Sequence, residues 1–195
     1  MTLDGLLDDY LDGVLERNPH VATLLGVHDY DSELPAGTRA SVEEEIEAAR
    51  SLRDELEGYD GYEAELVCAS LDYDLYEMDE LRAWERDPQA ADAVVSFVYP
   101  LYTRNFAPFH ERVERIADRL EDVPEYLEES RDRVVEPVEA WVELEKDACE
   151  NVPGFLQLVA DEAGEMERQD LAYRVSVACE KTVDALDEHL GWLES

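Results

Sequence analysis

An all-α fold is predicted by three observations. Apolar residues recur at steps of three and four along almost the whole chain. Capping residues, glycines and prolines punctuate it at helix-length intervals. The one alternating apolar stretch, residues 94–99, is too short and too isolated to build a sheet. At 195 residues a single domain buries roughly 70% of the surface its unfolded chain exposes. Neither an internal repeat nor a low-complexity linker divides the sequence, so a single compact unit of about seven to nine helices over residues 1–195 is expected.

The elements follow in order. Leu3, Leu6, Leu7, Tyr10, Leu11, Val14 and Leu15 form one stripe, an amphipathic opening helix. Asn18-Pro19 supplies a cap and a first-turn proline for a short helix over 21–25, which Gly26 stops. After a loop over 27–37, Ser41 and Glu44 have capping-box spacing, and Ile46, Ala49, Leu52 and Leu56 carry the helix to Gly58. A long helix over roughly 62–84 has Leu66, Ala69, Tyr73 and Tyr76 on one face and Leu71, Leu75 and Met78 on another. Two apolar faces predict burial between neighbours. Asp87-Pro88 ends it, and Pro100 closes a short apolar segment over 93–99.

Phe109, Val113, Ile116 and Leu120 make the next stripe. Pro124 is expected to start another helix carrying Leu127, Val134, Val138, Trp141 and Leu144, kinked or split at Pro137. Beyond Pro153-Gly154 a shorter helix over 155–160 and a last one over 171–193 complete the chain.

Charge excludes several functions. Fifty-one acidic against sixteen basic residues give a formal net charge of -35, spread evenly, and Lys146 and Lys181 are the only lysines. At molar salt the Debye length is about 3 Å and such self-repulsion is screened, so the composition fits a halophile's cytosol, of haloarchaeal type. Nucleic acid and anionic membrane surfaces need clustered basic side chains, which are lacking; the even spread also argues against an acidic decoy. Cys68, Cys149 and Cys179 have no C-x-x-C spacing and read as reduced thiols of a cytoplasmic protein. Four aspartates in the first twelve residues are incompatible with a signal peptide, and no run is apolar enough to span a membrane.

Two segments could carry chemistry. In NPHVATLLGVHDYDSELP, residues 18–35, Asp29-x-Asp31-x-Glu33 has the opening of a calcium loop, but Leu34 stands where glycine is needed and Ala40 where a bidentate glutamate should close the sphere. His20 and His28 would need further zinc ligands that the sequence does not nominate. HERVE, residues 110–114, has Glu114 where the zinc-peptidase helix has its second histidine. The candidates for a metal are therefore His28, Asp31, His110 and Glu114, and for a small metal-binding protein or hydrolase His20, His28 and His110. Ordinary capping, loop-pinning and surface roles fit all of them better. No catalytic residue and no cofactor is expected, and the partner, if any, is a second copy or another protein chain. The aromatic stretch SFVYPLYTRNFAPF, residues 96–109, would then be the first place to seek an interface.

DDYLDGVLERNPHVATLLGVHDYDSELP (residues 8–35), LRAWERDP (81–88) and RNFAPFHERVERIADRLEDVPEYLEESRDRV (104–134), in that order, resemble the N-terminal half of DUF885 proteins, a family of metallopeptidase-like helical proteins. The likeness fades after Trp141. It implies that Asn18, Pro19, Ala22, Thr23, Gly26, His28, Tyr30 and Asp31 belong to the family's N-terminal motif, here with structural roles. It also implies a metal-binding His-Glu segment with a nearby Pro-Gly-His in the second half of a much longer chain; this sequence contains no such segment. The expectation is a non-catalytic helical scaffold or interaction domain.

Overall fold

In a computed structural model describing residues 2–195, eight α-helices follow one another: α1 Leu3–Arg17, α2 Pro19–Leu25, α3 Arg39–Leu56, α4 Tyr62–Leu75, α5 Ala91–Thr103, α6 Phe109–Arg133, α7 Glu139–Gly164 and α8 Gln169–Leu193. No strand occurs among the described residues, and residues 94–99 lie inside α5. The all-α, single-domain expectation holds. No helix among the described residues is long and apolar enough to cross a membrane.

The main core lies between α5, α6, α7 and α8, where Phe97, Ile116, Leu120, Leu127, Leu156 and Leu186 are fully enclosed. A satellite core joins α1, α3 and α4 through Leu6, Ala49, Leu52, Leu56 and Leu71. The α3–α4 pair lies beside the main core, with α3 touching α6, while α2 packs on α1 and α5 and the loop after it reaches α6.

Several boundaries differ from the sequence expectation, each for a physical reason. The cap of α3 is Thr38, whose hydroxyl accepts from Ser41 N at 3.1 Å; the Ser41 hydroxyl donates instead to the carbonyls of Ala36 and Thr38. The long helix over 62–84 is regular only to Leu75. It loosens into a π-turn over Tyr76–Leu81, reverses at Arg82 (φ +49°) and resumes as a 3₁₀ turn over Ala83–Glu85.

Prolines were expected to bound helices at positions 100, 124 and 153, yet all three lie inside α5, α6 and α7. Each costs a hydrogen bond locally, but packing on both sides outweighs it. At Pro124 the compensation is visible. The missing N–H would have served the carbonyl of Leu120, and that carbonyl instead accepts from the Thr182 hydroxyl of α8 at 3.2 Å. Pro137 falls in the break between α6 and α7, where Val135 N and Val138 N donate to the carbonyls of Glu85 and Arg86 at 2.7 and 3.0 Å.

Cys149 and Cys179 are buried, Cys68 half-buried, and all three are free thiols. Burial pushes both core thiols up to about 12, so the reactive thiolate is scarce at neutral pH. A thiol reagent applied to the folded protein at pH 8 should modify Cys68 at least tenfold faster than Cys149 or Cys179. Equal rates for all three, read by peptide mass mapping, would contradict this packing.

Candidate functional site

The stretch 18–35 is held by arginines of α6. Gly26 ends α2 at φ +87°, a left-handed conformation that suits glycine, and turns the chain toward the loop. Asp31 is then buried, with the Thr23 hydroxyl donating to it at 2.7 Å, Arg115 Nη1 at 2.8 Å and His28 Nδ1 beside it at 2.9 Å. The His28 ring stacks on Phe106 with centroids 3.8 Å apart. Behind this layer Arg119, fully buried, donates to the carbonyls of Phe97, Pro19 and Tyr30 and to the Thr23 hydroxyl. Burial lowers Arg119 to about 10, against the opposing pull of Asp31 and Glu33, so it stays charged at neutral pH.

His28 and Asp31 are therefore brought together, within a network of arginine and hydroxyl groups. Asn18 does not cap α2 through its side chain; its amide donates to the carbonyl of Val14 and to Glu45. His110 and Glu114 lie on the exposed side of α6, His110 beside the turn of Glu165 to Arg168. Among the described residues no group of three His, Cys, Asp or Glu side chains could hold a metal ion, which leaves the metal-site alternative without support.

A second buried polar group escaped the sequence reading. Glu145 of α7, completely enclosed, accepts from the backbone N–H groups of Ala90 and Ala91 at 2.8 and 2.6 Å, at the start of α5. His189 Nε2 lies 3.0 Å from the same oxygen, outside hydrogen-bond alignment, while Arg131 Nε donates to His189 Nδ1 at 3.2 Å.

A cleft of about 650 Å³ is bounded by the end of α1, α2, the loop at Leu34 to Ala36, the start of α3, the start of α5 and one side of α6. Arg17, His20, Tyr126 and Arg133 contribute to its wall, together with Glu16, Glu44, Glu45, Asp87 and Asp92. Burial, reinforced by Arg119, lowers the His20 imidazole below its usual range and favours its neutral form; the ring packs edge-on to Phe97. Burial raises the Asp87 carboxyl, against the N–H of Gln89 and the charge of Arg133.

A signal for the arginine knot was present in the sequence. Arg112, Arg115 and Arg119 recur at steps of three and four alongside Val113, Ile116 and Leu120, on the flank of the apolar stripe of α6. Arg112 there donates to the carbonyls of Leu101 and Tyr102, closing the end of α5. Glu145 had no comparable signal, since in so acidic a chain one carboxylate is indistinguishable from dozens.

Among curated proteins none matches the chain in sequence. A solved structure from Shewanella oneidensis, described as a "putative lipoprotein of unknown function", matches all of this chain with a TM-score of 0.84 at 16% identity, which shows a common fold. The chain spans 37% of that protein's length. The family model described as "Bacterial protein of unknown function (DUF885)" matches residues 19–195, well past Trp141 where the recognisable motifs fade, and the chain accordingly belongs to the DUF885 family.

Proposed function

We propose that this chain is a non-catalytic helical interaction domain of the DUF885 family, working at the high salt for which its evenly acidic surface is suited. The observation that carries the reading is the outer face of α4. The two-faced helix expected to be buried on both sides is buried on one: Ala64 and Leu71 enter the satellite core, whereas Tyr62, Leu66, Tyr73 and Tyr76 stay exposed, Tyr62 at 78% and Tyr73 at 59%. These four, with Ala69, recur at helical spacing along one stripe that ends in the π-turn. Four large apolar side chains in one line are more than scattered surface apolar residues, and irregular turns of this type are frequent at functional positions.

Glu63, Glu65, Asp72 and Glu77 border the stripe. The charge pattern suits another protein chain presenting an apolar face edged by basic side chains, and disfavours nucleic acid, anionic membrane and an identical acidic face. The polar knots support the same reading: Asp31, Arg119 and Glu145 are occupied in holding helices together.

Photo-crosslinking tests it. With benzoylphenylalanine at Leu66 or Tyr73, expression in the native cytosol should yield a discrete protein adduct, and the same group at Glu128 on the solvent side of α6 should yield none. Adducts missing from both stripe positions would refute the interaction face. Metal-dependent peptide hydrolysis lost on replacing His28 or His110 would refute the non-catalytic reading.

A further inference from the structure

The cleft beneath α2 holds a concentration of unused hydrogen-bonding capacity. Seven buried side-chain nitrogen or oxygen atoms among the described residues have no hydrogen-bond partner: Arg17 Nε and Nη2, His20 Nδ1, Arg119 Nε, Arg133 Nε, Glu145 Oε2 and His189 Nε2. The first three and Arg133 Nε, four of the seven, belong to residues of the cleft wall. Buried N–H groups without acceptors destabilise a fold, and natural proteins satisfy nearly all of them.

Acidic residues outnumber basic ones by 51 to 16, so an arginine that lacks a carboxylate is surrounded by candidates. Seven of the fourteen arginines pair with a carboxylate, and Arg104, Arg112 and Arg119 donate to backbone carbonyls instead. Arg17 and Arg133 leave N–H groups unmet although Glu45, Asp87 and Asp92 share the cleft with them.

We infer that the cleft between α2, α3 and α5 binds a small zwitterion, an α-amino acid or an equally small molecule with one carboxylate and one ammonium group. The carboxylate meets Arg17 and Arg133, whose planar guanidinium groups suit its geometry. The ammonium group is met by the carboxylates of the same wall, and His20 Nδ1, on a ring that burial keeps neutral, is available to either pole. A dianion such as phosphate is disfavoured because it would face those same carboxylates. The cleft volume lies within the range of small-molecule sites. This site is on a different part of the molecule from the α4 stripe, so the two proposals fail separately.

Two measurements test it on residues 1–195 in concentrated KCl. The first needs no ligand: Arg17→Met removes unmet N–H groups while keeping an apolar stem, and should raise Tm by about 2–4 °C. A fall in Tm would mean that the guanidinium is already satisfied, and would overturn the inference. The second follows the His20 ring signals by NMR while glycine, L-alanine and L-glutamine are added, with acetate, methylammonium and inorganic phosphate as comparisons. A saturable shift with at least one amino acid, at a tenfold or greater lower concentration than any comparison and absent in Arg17→Met, is the expected result. No saturable shift with any of the three, or equal potency of acetate or phosphate, overturns the zwitterion site.

Discussion

Replacing Arg119 with methionine should cost about 3–5 kcal/mol, the loss typical when one partner of a buried charged network is removed. For a domain of this size that lowers Tm by at least about 6 °C. Methionine fills much of the arginine stem's volume, so the loss reports hydrogen bonds rather than a cavity. The carbonyls of Phe97, Pro19 and Tyr30 and the hydroxyl of Thr23 would lose their donor, and three of these four groups lie in the stretch 18–35. Asp31 would keep Arg115 and Thr23 but lose the nearby positive charge behind it. Arg115, partly exposed, donates to Asp31 from the rim, and Arg115→Met should cost markedly less. Urea denaturation of both variants in high salt checks the order. A cost below about 1 kcal/mol for Arg119→Met, the usual net value of a single hydrogen bond, would mean that the stretch is held by its apolar contacts alone.

That comparison also locates what could be read from residues alone. The stripes of α1, α3 and α6 were legible because helical spacing of apolar residues records which face is buried, and Gly26 was legible because its stop signal is local. Pro100, Pro124 and Pro153 misled because proline's local cost was weighed without the packing that absorbs it; the help that Leu120 receives from Thr182 comes from a residue 62 positions away. The outer face of α4 misled in the opposite direction. Its spacing announces an apolar face, but whether a neighbour covers that face depends on topology, which periodicity does not encode.

The candidate residues divide in the same way. His28 and Asp31 attracted attention as possible ligands because histidine and aspartate share a loop. Arg115, which donates to Asp31, and Arg119, which donates to the backbone around them, lie more than eighty residues on, and it is these that turn a ligand-like motif into a cross-link. His110 and Glu114 remain on an exposed helical face. The cleft was unreadable from the sequence because its wall gathers residues from six segments, and Arg17 and Arg133 stand out only when some of their N–H groups are seen to lack acceptors.

Glu145→Leu should destabilise the protein by about 3–5 kcal/mol, as expected for breaking a buried polar cluster and leaving its partners unpaired. The reason lies at the start of α5, whose N-cap position is Ala90, a residue with no side chain able to accept. Glu145 supplies from α7 what a local Ser or Asp would supply: a negative oxygen facing the first free N–H groups of a helix, where the helix dipole also favours it. Leucine would leave both N–H groups unmet and His189 with Arg131 enclosed beside an apolar side chain. Glu145→Gln retains an acceptor of the same shape and should recover more than half of the loss. Amide exchange separates local from general effects, because the Ala90 and Ala91 protons should exchange fastest relative to wild type in the leucine variant while amides of α8 follow global unfolding alone. Asp92, in the first turn of α5, and Asp87, just ahead of it, are part of the cleft wall. A loosened start of α5 should therefore weaken the amino-acid response of His20 in proportion to the exchange at Ala90. If Glu145→Leu leaves that exchange unchanged, the helix is held by its apolar packing, and the glutamate is not its cap.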